Sequence, residues 1–320
     1  MRGVTFLGDR ELQLLDFPDP TPGPHDVVLE MKSSGMCGSD LHQYRRPKGG
    51  GQATGLPMAS QPVIAGHQGC TNCEHCRAGW QQLCQNVPVK VYGNNNNGGH
   101  APYLLVPANT LVLLPDELSF ETGAAIACGT GTAYGALRRI NLSGNDTIAI
   151  FGQGPVGLSA TQLAKAMGAR VIALDISPER LDRATEFGAD DVVNPGSNDP
   201  VAAIRDLTHG RGADLTLDTS ASPAGRIAAV RAVKVWGTCC FVGEQGDVTI
   251  NVSPDMLRRQ VTIVASWTFS SIGQEECARF VVDRKVDVDK LFTHRWKLDQ
   301  AEEAYRIFDR QTEGKGVFLM

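Results

Sequence analysis

The chain has 320 residues, of which 42% are hydrophobic and 20% charged, with a formal net charge of -5. That length exceeds one ordinary core and suits two domains, and the composition is that of a globular chain rather than a disordered one. The acidic balance gives no support for nucleic acid or an anionic membrane as partner, since both call for basic surface.

Charges at Arg2, Asp9, Arg10 and Glu11 break up the start, so no signal peptide is expected. No later run is apolar and long enough to span a bilayer, and the expectation is a cytoplasmic protein. From Met1 to about Pro115 the chain is rich in Gly and Pro, with short β-type runs such as Asp26–Met31 and Tyr103–Pro107. This predicts a small, irregular, mostly β domain over residues 1–118. The run Gly93–Gly99, with four asparagines, is a polar loop.

Alternating helices and strands are predicted from Ser119 onward. Thr147–Phe151, Arg170–Leu174, Ala213–Asp218, Gly237–Val242 and Val261–Val264 read as buried strands. Val156–Met167 and Pro178–Phe187 read as helices, the second capped by Ser177. The rhythm predicts an α/β fold with a doubly wound parallel sheet over residues 119–265. Residues 266–320 hold an amphipathic helix at Asp299–Arg310 and are expected to pack back on the first domain.

Gly152-Gln-Gly154-Pro155-Val156-Gly157 follows a predicted strand, opens a predicted helix, and precedes Asp175 at the end of the next strand. In that context the glycines allow a tight turn, a close backbone approach to a pyrophosphate, and close helix–strand packing. Asp175 can accept from both adenosine ribose hydroxyls and would repel a 2′-phosphate, which favours NAD over NADP. Arg180 is near enough to blur that preference, although a solvated position on its helix is expected.

Cys70, Cys73, Cys76 and Cys84 lie within fifteen positions. Two-residue gaps in a chain expected in a reducing compartment predict four thiolates around a structural Zn²⁺. His75 lies between ligands as a bystander. Cys239 and Cys240 sit in a predicted core strand and read as small apolar side chains. Cys277, His25, His100, His209 and His294 show no partner by spacing.

A second constellation runs Gly35-Met-Cys37-Gly-Ser39-Asp40-Leu-His42. With Gly66-His67, the four-cysteine lobe, Cys128–Tyr134, Ala301–Arg306 and Gly314–Gly316, it resembles the medium-chain, zinc-dependent alcohol dehydrogenase family. The resemblance implies a GroES-like catalytic domain beside a Rossmann domain. It also implies a catalytic zinc on Cys37, His67 and Cys128 with one open position, and a homodimer or homotetramer. Ser39 and His42 match a proton relay, and Asp40 matches the acid that orients the histidine ligand. The implied reaction moves hydride between NAD and an alcohol or carbonyl substrate, with zinc as Lewis acid. A polyol or amino alcohol is the alternative substrate, although Cys128 leans toward simple alcohols.

The sequence departs from that pattern after His67, where Gln68 and Gly69 lead at once into Cys70. The family has a glutamate and a β segment there, and three residue steps reach at most about 11 Å. Three readings stand open: a segment missing from the sequence, a true deletion that costs one zinc site or distorts the barrel, or a His67 that is not the ligand. The first is preferred. A Cα–Cα step of about 3.8 Å after His67 would instead point to a deletion, with weak or absent catalysis or a non-catalytic, nucleotide-binding relative.

Overall fold

Short β-type runs early in the chain become strands, and in Tyr103–Pro107 Leu104 and Val106 are the buried positions. The computed structural model describes residues 1–48, 67–310 and 314–320. Strands β1 (Arg2–Gly8) and β2 (Glu11–Asp16) form an antiparallel hairpin. Asp9 and Arg10 take positive φ at its turn, which matches the right-handed twist of the flanking strands. There follow β3 (Asp26–Glu30), β4 (Ser33–Gly35), α1 (Gly38–Arg45), β5 (His67–Gln68), α2 (Glu74–Arg77), β6 (Lys90–Val91), β7 (Tyr103–Pro107) and α3 (Phe120–Ala125). β3 pairs with β7, and β5 with β6, both antiparallel.

The next elements are α4 (Gly131–Arg139), β8 (Thr147–Phe151), α5 (Pro155–Ala166), β9 (Arg170–Leu174), α6 (Pro178–Glu186), β10 (Asp191–Val193), α7 (Pro200–Leu207), β11 (Ala213–Asp218), α8 (Pro223–Ala232), β12 (Val233–Phe241) and β13 (Thr262–Ala265). Proline opens α5, α6, α7 and α8, where its missing N–H costs nothing. Ser177, Asp199 and Ser222 cap the last three by accepting from first-turn N–H groups. The six strands run parallel in the order β10-β9-β8-β11-β12-β13. This is the doubly wound order, reversing between β8 and β11, and a ligand crevice belongs at the carboxyl ends of those two strands. Both faces are covered, so Ile148, Ile150, Ile172 and Leu217 are fully buried.

The chain ends with α9 (Ser271–Asp283), β14 (Phe292–Trp296), α10 (Ala301–Phe308) and β15 (Lys315–Leu319). β15 lies between β14 and β4, with Val317 opposite Gly35. Phe6, Tyr44, Tyr305 and Phe318 close an aromatic core over this sheet. Residues 1–131 and 269–320 thus form one compact unit, and residues 132–268 form the other. The amphipathic helix expected from Asp299 begins instead as a 3-10 turn at Leu298–Gln300. No helix among the described residues is long and apolar enough to cross a membrane.

Candidate active site and metal centre

The turn after β8 is built from glycine by necessity. Gly152 has φ +90, and an added Cβ would meet the Ser220 backbone at 2.9 Å. A Cβ on Gly157 would stand 1.8 Å from the Gly152 carbonyl oxygen, so that helix and turn meet only through glycine. Gly154 differs: a Cβ there would meet nothing within 4 Å, so its face is open toward a ligand. Pro155 and Val156 open α5 behind it, and its first-turn N–H groups are those a pyrophosphate would use. Thr219, at the end of β11, donates to the Gly152 carbonyl at 2.8 Å and locks the turn.

Asp175 closes the arrangement. Its carboxylate is buried, accepting from the Gln153 N–H at 2.7 Å and the Ser177 N–H at 3.0 Å. Arg180 does not lie in solvent as its helix position suggested. Its Nη1 is 3.6 Å from Asp175 Oδ2, and its side chain is only a quarter exposed. The acid and its neighbour therefore form one charged unit at the edge of the crevice. These residues fit a dinucleotide with unmodified ribose hydroxyls.

The four cysteines after His67 come together as their spacing requires. The Sγ atoms of Cys70, Cys73, Cys76 and Cys84 all lie within 4.8 Å of one another. The Cys70 N–H donates to Cys84 Sγ, and the Cys73 N–H to Cys70 Sγ, both at 3.3 Å. The Cys70 N–H draws the Cys84 thiol down to about 6, while burial pushes Cys76 up to about 12. Four thiols fed by backbone N–H groups suit a tetrahedral Zn²⁺. His75 stands beside Glu74 at 3.7 Å and is not one of the four.

Cys37 and Cys128 form a separate thiol pair. Cys37 caps α1, where its N–H donates to Asp40 Oδ2 at 2.7 Å. Cys128 sits in a wide π-type turn, Ile126–Thr130, at a backbone kink (φ -139, ψ -106). The two thiols hydrogen-bond to each other, raising Cys37 well above the ordinary thiol range and drawing Cys128 down to about 7. Burial, then the neighbouring Cys37, holds the Asp40 carboxyl well above the usual carboxylate range. Ser39 and His42 lie exposed on α1, three residues apart and so on neighbouring positions of one face.

The ligand atoms of His67, Cys37 and Cys128 do not all lie within 4.8 Å of one another. His67 and Gln68 are successive residues of β5, in register with Val91 and Lys90, and lead directly into the cysteine lobe. Among the described residues, the four cysteines are the one group of three or more His, Cys, Asp or Glu with ligand atoms within 4.8 Å. His67 is 5% exposed and lines a cavity of about 10 Å³ with Gln81, Gln82, Ser271 and Gln274. Burial lowers its pKa to about 4. Gly66 lies outside the described residues.

Several residues escaped the sequence reading. Lys315 is 2% exposed, donates to the Met36 carbonyl at 2.6 Å, and places its charge beside Cys37, Cys128 and Asp40. Gln153 is fully buried, bridging the Ile150 carbonyl and the Thr161 hydroxyl. His100, without a partner by spacing, lies between Ser34 Oγ and the Tyr305 hydroxyl at 2.7 Å each. Cys239 and Cys240, read from the sequence as small apolar core side chains, are fully buried in β12, with thiols pushed up to about 12 by burial.

Comparison with known proteins gives this arrangement its relatives. Residues 61–116 match the alcohol dehydrogenase GroES-like domain, and residues 155–284 match the zinc-binding dehydrogenase domain. A zinc-type alcohol dehydrogenase-like protein of Escherichia coli (strain K12) is 37% identical over 347 residues, covering 99% of this chain and 98% of its own. That alignment is longer than the chain, so the relative carries residues this protein lacks. The sorbitol dehydrogenase of Bacillus subtilis (strain 168) is 28% identical, with coverage of 95% and 92%. Among solved structures, the alcohol dehydrogenase of Thermus sp. ATN1 superposes with a TM-score of 0.88 at 26% identity, over 100% of this chain and 99% of that one. The thiol lobe, the glycine turn and these matches along nearly the whole length agree, and the chain belongs to the zinc-type, medium-chain alcohol dehydrogenases, a family of oxidoreductases.

Proposed function

We propose that the protein binds NAD and passes hydride between it and the carbon of an alcohol or the matching carbonyl. The observation that carries this reading is the buried Asp175 carboxylate, held by the Gln153 N–H beside the Gly152–Gly157 turn. Gly152, Gly154, Pro155, Val156 and Gly157 would hold the pyrophosphate, Asp175 the ribose hydroxyls, and Arg180 would flank them. Bound nicotinamide supplies the hydride acceptor. A solved NAD-dependent alcohol dehydrogenase, 27% identical with a TM-score of 0.85, supports the choice of cofactor.

On the catalytic side, Asp40 fixes the backbone of Cys37, and exposed Ser39 and His42 offer a proton route along α1. Zinc fits the four-cysteine lobe. A zinc-polarised hydroxyl lacks its three-ligand seat, because His67 stays outside the Cys37–Cys128 pair. That observation favours a second reading, a relative that binds nucleotide with little or no turnover. Polyols or amino alcohols are alternative substrates, supported by the sorbitol dehydrogenase and by the L-threonine 3-dehydrogenase of Pyrococcus horikoshii, 29% identical to this chain. We place the protein in the cytoplasm, where its nine cysteines, none in a disulfide, stay reduced, as a homodimer or homotetramer.

The test is NADH absorbance over a panel of simple alcohols, polyols and amino alcohols, alongside calorimetric titration with NAD. NADH formation supports the dehydrogenase. Tight NAD binding without NADH from any alcohol selects the nucleotide-binding reading.

A further inference from the structure

We propose that this protein carries a single zinc per chain, in the four-cysteine lobe, and that Cys37 and Cys128 form a metal-free thiol pair. The argument starts from the link between His67 and Cys70, which has no slack. His67 and Gln68 are both held in register by β6. The Gly69 N–H donates to Gln81 Oε1 at 3.1 Å, and the Cys70 N–H donates to a lobe thiol. A Cβ on Gly69 would stand 2.5 Å from Cys76 Sγ and 2.8 Å from Cys84 Cβ, so this residue is wedged against the lobe. A histidine so tethered moves only with the lobe, because three residue steps reach about 11 Å even when fully extended. Its side chain lines a cavity with Gln81, Gln82 and Gln274 that has room for about one water molecule.

Cys37 and Cys128 are positioned by other elements, the cap of α1 and the turn after α3. Asp40 accepts from the Cys37 N–H, and buried Lys315 donates to the carbonyl of Met36, the residue before Cys37. A dication seated on two thiols would sit near that ammonium, a like charge in a poorly solvated place, with one histidine ligand fewer than a catalytic zinc uses. Lys315 already supplies positive charge where a metal would otherwise supply it.

The test uses the purified full-length protein and counts zinc by inductively coupled plasma mass spectrometry. One zinc per chain is expected, unchanged in the C37S/C128S double variant. As a second readout, the zinc-loaded wild type is alkylated with N-ethylmaleimide and mapped by mass spectrometry. The modification of Cys37 and Cys128 should be the same with and without a chelator, while Cys70, Cys73, Cys76 and Cys84 react only after a chelator is added. Two zincs per chain with one lost in C37S/C128S, or protection of Cys37 and Cys128 that a chelator relieves, overturns the proposal. A chain without zinc overturns it as well. Neither readout depends on NAD or turnover, so failure of the dehydrogenase reading shows separately, as absent NADH formation.

Discussion

The Gln153 N–H donates to Asp175 Oδ2 at 2.7 Å, which ties the glycine turn after β8 to the end of β9 through one buried carboxylate. The residue that would read the ribose is therefore also the one that holds the phosphate turn in place. Asp175→Asn keeps the shape and removes the charge. A hydrogen bond to a charged group contributes about 1.5–3 kcal/mol, so NAD affinity should fall by roughly ten- to hundredfold. Titration calorimetry with NAD and NADP checks this. An equal loss for both cofactors would show that the carboxylate does not select between them.

The glycines of the turn should separate folding from binding. Gly157→Ala brings a methyl to 1.8 Å from the Gly152 carbonyl oxygen, and overpacking of this kind costs about 1–3 kcal/mol or more. Thermal unfolding should shift accordingly. Gly154→Ala meets nothing within 4 Å at an ordinary φ of -69, so its melting point should stay near that of the wild type. Its NAD affinity should still fall, because the methyl stands where backbone must approach phosphate. A Gly154→Ala protein that binds NAD normally would remove Gly154 from the proposed site.

Zinc in the cysteine lobe should act as a folding element. Four thiolates around Zn²⁺ give apparent binding energies of about 10–16 kcal/mol in small zinc domains. Removing the metal with a chelator, or replacing Cys76 with Ser, should lower the melting midpoint by about 10 °C or more, read by calorimetry. An unchanged midpoint after verified zinc loss would mean the lobe holds itself together without metal.

His100 gives the stability a pH dependence with a definite sign. Burial, then the charge of Lys315, pushes its pKa down to about 3, against about 6.5 for an unfolded histidine. The unfolded chain binds the extra proton first. The stability from neutral His100 is thus complete above about pH 6.5 and is lost as pH falls toward about 3, by at most about 1.4 kcal/mol per pH unit. Urea denaturation at several pH values should show this slope, and His100→Gln should flatten it at some cost in stability from the Ser34 and Tyr305 contacts. An unaltered slope in that variant would assign the effect elsewhere, and His67, lowered by burial to about 4, is the next group to examine.

Much of this was legible in the residues. Thr147–Phe151 and Arg170–Leu174 are buried strands, and such strands announce themselves as near-continuous apolar runs. The four-cysteine lobe was legible because its ligands are close in sequence, so spacing alone fixes the geometry. Lys315 was not legible. A lysine in a short strand reads as solvated, and its neighbours Met36 and Cys37 lie at the other end of the sequence. β5 and β6 are two residues each, too short for any alternation to show. The place of His67 was half legible: its short tether was visible, but the cavity it lines depends on residues from α9 and the lobe together.

The pairing of β4 with β15 governs the order in which a newly made chain can mature. Ser33, Ser34 and Gly35 find their hydrogen-bond partners in Val317, Phe318 and Leu319. At about 5–20 residues per second, the ribosome takes on the order of tens of seconds to travel from the one segment to the other. Residues 132–268 are contiguous and can fold within that interval. A nascent chain would therefore display a finished parallel-sheet unit while the strand beside Cys37 still waits, unpaired, for its neighbour to be synthesised.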